Sequence, residues 1–198
     1  MKTETNRQTV TIEKTHPDFQ ALKWLSKAIS KDATRHVLNF LNCEIDQFGT
    51  ILLVATDGRR LHKLETDINM NYSNGSYAIS VTGKNVLLVP KEDTGTFPNW
   101  RVVIPDFKAI PSDEMATASL VVDKQKLVSY VTAKLNEANS HGGAILFNDT
   151  FLSDALGSKT LFGTAGKQSW EASTSHMHPL KLTSGNLEAV IMPIRSDR

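Results

Sequence analysis

Two histidines at alternate positions, His176 and His178, have a spacing that could bind a metal ion. On an extended strand both imidazoles would point to the same side, which is a geometry that zinc can use. No adjacent cysteine or carboxylate completes a ligand set, and Pro179 follows at once. A pair of surface histidines is the favoured interpretation, so we expect no metal site.

Asp57 and Cys43 are the other side chains that could do chemistry. Asp57 follows an apolar run, and in the sequence ATDGRRL it is better explained by a turn or by pairing with Arg59 or Arg60. Cys43 is the only cysteine and lies in the apolar stretch VLNFLNCEI, which favours a buried thiol over a catalytic one. Phosphate-binding loops, nucleotide-binding glycine patterns and metalloprotease helices are all missing from the sequence. We therefore expect no catalytic residue, no cofactor and no enzyme activity, although an enzyme that uses Asp57 or the histidines stays open as an alternative.

Three lysines, Lys23, Lys27 and Lys31, form what we call the lysine set. They are four residues apart, so on a helix they share one face, where they could attract the phosphates of duplex DNA without reading its bases. On the pattern alone a merely solvated face is favoured. Three more lysines on a second predicted helix are spread around its axis and support DNA binding less: Lys124, Lys126 and Lys134.

The elements that would position these groups begin with a strand over residues 8–14. A helix follows, with Thr15 as its N-cap, and its apolar stripe consists of Phe19, Leu22, Leu25 and Ile29. Two apolar runs, residues 36–45 and 50–57, are joined by a turn with Gly49 and predict a hairpin.

A similar order of elements starts again at residue 119. A strand over residues 119–123 precedes an amphipathic helix over residues 124–138 with the stripe Leu127, Val131 and Leu135, and short strands follow from residue 144. The sequence thus predicts an α+β fold with two similar units, each with a helix packed on antiparallel strands. Two prolines and several polar residues place the junction near residues 105–117.

Length and composition indicate a globular protein. The chain has 198 residues, 40% of them hydrophobic, and its formal net charge of +1 gives no overall signal for nucleic acid or membrane binding. No apolar run approaches the ~18 residues of a membrane span, and the first residues lack the apolar stretch of a signal peptide. We expect a cytoplasmic protein without a membrane partner.

Three segments carry a resemblance to the bacterial DNA polymerase III beta subunit, the DNA sliding clamp. Residues 55–61, ATDGRRL, resemble that family's ATDG-x-RL; residues 97–105, FPNWRVVIP, resemble the stretch that leads into its last domain; and residues 190–195, VIMPIR, resemble its ending VVMPMRL. The resemblance implies that residues 1–105 correspond to a shortened middle clamp domain and residues 106–198 to a shortened last domain. The resemblance gives no counterpart of the family's first clamp domain.

The resemblance also implies a hydrophobic pocket for peptides from a DNA polymerase or a clamp loader. Carried over position by position, the pocket consists of Thr56, Gly58, Arg59, Arg60, Leu61, Pro105, Val190, Met192, Pro193, Ile194 and Arg195. From the residue types, Leu61, Met192 and Ile194 would form one exposed apolar patch. Arg59 stands where a histidine is common in the family.

A clamp relative would be a non-enzymatic processivity factor in DNA replication that contacts duplex DNA without sequence preference. Clamp rings contain six domain-sized units, so two units per chain favour a homotrimer, with a dimer as the other possibility. The alternative function is a protein-interaction module of the same fold that binds replication proteins without encircling DNA.

Overall fold

A computed structural model of the chain describes residues 7–70, 74–92, 94–104, 106, 108–110, 115–123, 133, 147–156, 167–175 and 178–194. The chain divides into two compact units. Unit 1 contains Met1–Gly58 and His62–Pro98, and unit 2 contains Arg59–Leu61 and Asn99–Arg198. The assignment of residues 1–105 and 106–198 to two particular clamp domains stays a prediction, because compactness alone does not identify a domain.

In its described residues, unit 1 combines an antiparallel sheet with one α-helix, α1. The helix spans Phe19–Leu25, and the strands are β1 (Val10–Glu13), β2 (Leu41–Ile45), β3 (Ile51–Thr56), β4 (Arg60–Thr66), β5 (Gly75–Val81) and β6 (Asn85–Lys91). Their order in the sheet is β1-β6-β5-β2-β3-β4. The first two residues of β4, Arg60 and Leu61, are counted with unit 2.

The core of unit 1 lies where α1 contacts the sheet. One face of α1 is buried, with Leu22, Trp24 and Leu25 fully inaccessible, and every residue of β3 is buried as well. The Trp24 ring stacks on His62 with 4.2 Å between the centroids, and His62 Nδ1 lies 3.0 Å from the Trp24 carbonyl oxygen. Because a carbonyl only accepts hydrogen bonds, Nδ1 carries the proton in this contact.

The predicted hairpin is present, but it begins later than expected. β2 pairs antiparallel with β3, with Ile45 opposite Ile51. The turn between them is held by Asp46 Oδ1, which accepts hydrogen bonds from the N–H groups of Phe48 and Thr50 at 2.8 Å each. Residues 36–39, expected in the first strand, belong to a 3-10 helix over Ala33–Asn39.

The first helix is shorter than its apolar stripe predicted. Its N-cap is Asp18 instead of Thr15, α1 ends at Leu25, and a 3-10 helix covers Ser26–Ala28. Ile29 has an extended backbone (ψ 134°), so this residue and Lys31 lie beyond the helix. Asp32 caps the next 3-10 helix, because its side chain accepts a hydrogen bond from the Thr34 N–H at 2.9 Å.

Unit 2 is also an antiparallel sheet with a short α-helix, α2. The helix spans Asp149–Ala155, and the strands are β7 (Met115–Asp123), β8 (Lys167–Ser175), β9 (Leu180–Ser184) and β10 (Leu187–Ile191). Their order is β10-β9-β8-β7. Sequence reasoning expected strand here and missed α2; its helix over residues 124–138, with the stripe Leu127, Val131 and Leu135, lies outside the described residues apart from Ala133.

The core of unit 2 is formed by the inner residues of its strands and of α2. All five residues of β10 are buried, and α2, which contacts β10, buries Leu152 and Ala155. The α+β class predicted from the sequence is confirmed. Among the residues that the structure describes, no helix has the length and apolar character needed to cross a membrane.

Candidate partner-binding site

The turn that follows β3 is shaped by contacts within unit 1. Thr56 is buried, and its hydroxyl accepts a hydrogen bond from the Gly58 N–H at 3.1 Å. Gly58 has a φ of +85°, in the left-handed region that favours glycine. Arg35 Nη1 donates to the Asp57 carbonyl at 2.9 Å, so its guanidinium lies against the turn.

The next three residues lie in unit 2, where they meet the C-terminal strand. The Met192 N–H donates to the Arg59 carbonyl at 2.9 Å. This backbone hydrogen bond joins Arg59, the first of the three residues, to the segment VIMPI, although they are far apart in the sequence. Arg59 and Met192 are therefore neighbours within unit 2.

Apolar side chains around this junction differ sharply in exposure. Met192 is 39% exposed and Ile194 is 50% exposed, whereas Val190 (1%) and Leu61 (2%) are buried. The expectation that Leu61 belongs to an exposed patch is wrong, because its place in β4 turns it into the core. Pro193 is half-buried, and Pro105 and Arg195 lie outside the described residues.

Arg60 is held by two residues of α2. Its Nη1 atom lies 2.6 Å from Asp154 Oδ2, and its Cζ atom lies 4.5 Å from the centre of the Phe151 ring. Asn148 Oδ1 caps α2 by accepting from the Phe151 N–H at 3.1 Å. An asparagine ahead of an aspartate is an ordinary helix-start signal, and it was the available sequence clue to α2, though not to its contact with Arg60.

The lysine set does not lie on one α-helical face. Lys23 belongs to α1, with its Nζ 5.5 Å from the centre of the Phe19 ring; Lys27 belongs to the following 3-10 helix; and Lys31 is exposed beyond both. The premise of a shared helix face is wrong, since the helix ends at Leu25. Lys124, Lys126 and Lys134 lie outside the described residues.

Other groups offer no reactive centre in the described part of the chain. No three histidine, cysteine, aspartate or glutamate side chains come together there as a metal site. His178 is described and exposed, while His176 lies outside the described residues. Burial raises the pKa of the Cys43 thiol to about 12, so Cys43 is not a nucleophile at neutral pH.

Comparison with known proteins gives a match in structure only. No protein-family model and no curated protein sequence matches the chain. The DNA polymerase sliding clamp from Bacillus subtilis is 15% identical with a TM-score of 0.62, and the match covers 98% of this chain and 66% of that one. The chain thus spans slightly less than two thirds of that clamp.

Two further clamps agree with this match. The DNA polymerase sliding clamp from Pseudomonas aeruginosa is 18% identical with a TM-score of 0.57, over 95% of this chain and 67% of that one. The Helicobacter pylori beta clamp, solved with a bound DNA ligase peptide, is 16% identical with a TM-score of 0.53, over 96% of this chain and 66% of that one. Over nearly its whole length, the chain has the fold of the bacterial DNA polymerase III beta sliding clamps.

Proposed function

We propose that the chain is a non-enzymatic, clamp-like binding protein that captures short apolar segments of replication or repair proteins. The capturing surface, here called the partner surface, consists of Arg59, Arg60, Met192, Pro193 and Ile194 of unit 2. The observation that carries the proposal is the Met192–Arg59 hydrogen bond, which joins the two segments directly beside the exposed Met192 and Ile194 side chains.

The chemistry of the partner surface suits a peptide more than a small polar ligand. Methionine is unbranched and adapts its shape to different apolar partners, and Ile194 adds apolar area next to it. The clamp from Helicobacter pylori was solved with a DNA ligase peptide, which supports a peptide as the partner class. Short peptides bury little area and lose entropy on binding, so we expect dissociation constants on the order of micromolar.

The test is a binding titration with labelled short apolar peptides from polymerase and clamp-loader subunits. Met192→Asp is expected to weaken binding at least about tenfold, because it places a carboxylate in an apolar contact. Phe48→Asp is the matched control: Phe48 is 83% exposed and lies in the β2–β3 turn of unit 1. The proposal fails if Met192→Asp binds as the wild type does, or if both variants lose affinity equally.

We further propose that the chain contacts duplex DNA without sequence preference through the lysine set. Lysines attract phosphates through a field that salt screens, and a clamp needs only such weak contact. A ring of six domain-sized units would need three chains of two units, so a cyclic homotrimer is favoured over a dimer. A monomeric molar mass in light scattering across micromolar concentrations would contradict the trimeric ring.

A second candidate is an interaction module of the same fold that binds partners without encircling DNA. It is favoured by the early end of α1 at Leu25, which separates Lys27 and Lys31 from the helix face, and by the net charge of +1. Peptide capture by a monomer that duplex DNA does not retain would select this module over a clamp.

A further inference from the structure

The partner surface contains one positive charge that the protein itself neutralises. Arg60 Nη1 donates to Asp154 Oδ2 at 2.6 Å, and the guanidinium lies over Phe151. The side chains of Arg60 and Asp154 are only 10% and 23% exposed. Phe151 and Asp154 are three residues apart on α2, so one face of this helix holds both the aromatic and the acidic contact.

The position of the Asp154 carboxylate is fixed by packing. Leu152 and Ala155 of the same helix are buried, and α2 contacts β10, the strand that leads into Met192. Asn148 caps the first turn of the helix. The carboxylate is therefore presented to Arg60 from a rigid element of the same unit.

We propose that Asp154 sets the charge selectivity of the partner surface at Arg60, so that this position accepts uncharged apolar segments and a ligand carboxylate gains nothing from the Arg60 guanidinium. This inference rests on the proposed peptide-binding function. A ligand carboxylate that approached Arg60 would have to displace a tethered carboxylate, whose effective concentration is on the order of millimolar or more. The pair is partly desolvated, which makes its attraction stronger than that of an exposed pair.

Asp154→Asn tests the inference because asparagine keeps the size of the side chain and a carbonyl oxygen that can accept from Arg60, while the negative charge is lost. Asp149→Asn is the matched control. It makes the same chemical change on the same helix, at an exposed position in the first turn. Asp154→Ser is a second variant with the same expected effect, in case the asparagine variant does not fold.

The probes are pairs of short peptides that contain Leu and Phe. The two peptides of a pair differ at one position only, which is Gln in one peptide and Glu in the other, and the pairs together cover each position that is not Leu or Phe. For Asp154→Asn we expect the affinity for at least one Glu peptide to rise about fivefold over the wild type, with less than about twofold change for its Gln twin. This gain should shrink at high salt, because salt screens an exposed ligand charge. Asp149→Asn should bind both peptides of each pair as the wild type does.

The outcomes separate the two ideas. If the wild type binds neither the Gln nor the Glu peptides, the peptide-binding function fails and the selectivity inference fails with it. If the Gln peptides bind but neither Asp154 variant gains affinity for any Glu peptide, only the inference is overturned. An equal gain in Asp149→Asn would overturn it as well, because the effect would then reflect overall charge instead of the Arg60 contact.

Discussion

Replacing Gly58 with alanine is expected to destabilise the protein more than replacing Gly49, although the two glycines have nearly the same positive φ angle. The φ angle is +85° at Gly58 and +84° at Gly49. A Cβ atom at Gly58 would lie 2.7 Å from Arg35 Nη1, whereas at Gly49 it would meet no described heavy atom within 4 Å. The pair of variants therefore separates the backbone cost from the cost of moving Arg35.

The backbone part of the cost is common to both variants. A left-handed conformation destabilises a non-glycine residue by about 1–2 kcal/mol. Alanine also lowers the conformational entropy of the unfolded chain, which stabilises the folded state by about 0.4–1 kcal/mol. Only Gly58→Ala must also displace the guanidinium that donates to the Asp57 carbonyl at 2.9 Å. Such a hydrogen bond contributes about 0.5–1.5 kcal/mol, and the lower half of that range applies because the Arg35 side chain is 46% exposed. We expect Gly58→Ala to be the more destabilising variant by about 0.5–1 kcal/mol.

Urea unfolding followed by tryptophan fluorescence measures both free energies of unfolding, and an unchanged m-value shows that they are comparable. Arg35→Ala should remove the difference between the two glycine variants, because no guanidinium is left to displace. Equal losses in the wild-type background would refute the steric argument. A difference that persists without Arg35 would show that another contact is responsible.

Three further predictions concern charge and burial. Replacing the whole lysine set with glutamate should weaken duplex binding for every sequence and flatten its salt dependence, while unchanged retention on DNA would show that these lysines are only solvated. Cys43, with a pKa raised to about 12 by burial, should resist alkylation at pH 8 in the native protein and react in urea; rapid native labelling would contradict this burial. The hydrogen bond from the Thr50 N–H lowers the pKa of Asp46 in the folded protein. The stability from this contact is therefore present above the ordinary aspartate pKa near 3.9, and it is lost as the pH falls through the lowered pKa of the folded state. Asp46→Asn should flatten this acid dependence of the free energy of unfolding in urea titrations, and an unchanged pH profile would contradict the prediction.

The elements that could be predicted from the sequence are those fixed by local chemistry. The β2–β3 hairpin follows from a turn in which the Asp46 side chain binds the N–H groups of Phe48 and Thr50. Alternating β-branched residues likewise identified the strand Val10–Glu13. In both cases the sequence signal spans only a few residues, although the strand Val10–Glu13 pairs with the distant β6.

Helix ends and side-chain exposure were less predictable. The apolar stripe of the first helix extends to Ile29, but α1 ends at Leu25, and the backbone is already extended at Ile29. Leu61 was expected at the surface because it belongs to the segment ATDGRRL, which resembles part of the clamp pocket, yet it is 2% exposed in β4. The partners of Arg60 could not be inferred, since Phe151 and Asp154 are far away in the sequence and the seven residues of α2 are too few for a clear period.

Unit 2 is assembled from two stretches of chain, the tripeptide Arg59–Leu61 and Asn99–Arg198. A gene fragment that begins at residue 99 would therefore encode a unit without the carbonyl that Met192 binds and without the arginine that Asp154 holds. The same holds for chimeras: grafting residues 99–198 onto another scaffold transfers an incomplete surface unless the host supplies an equivalent tripeptide. Recombination near residue 99 would thus separate the two parts of the partner surface. A functional chimera must keep residues 59–61 together with the strand β10 and residues 192–194.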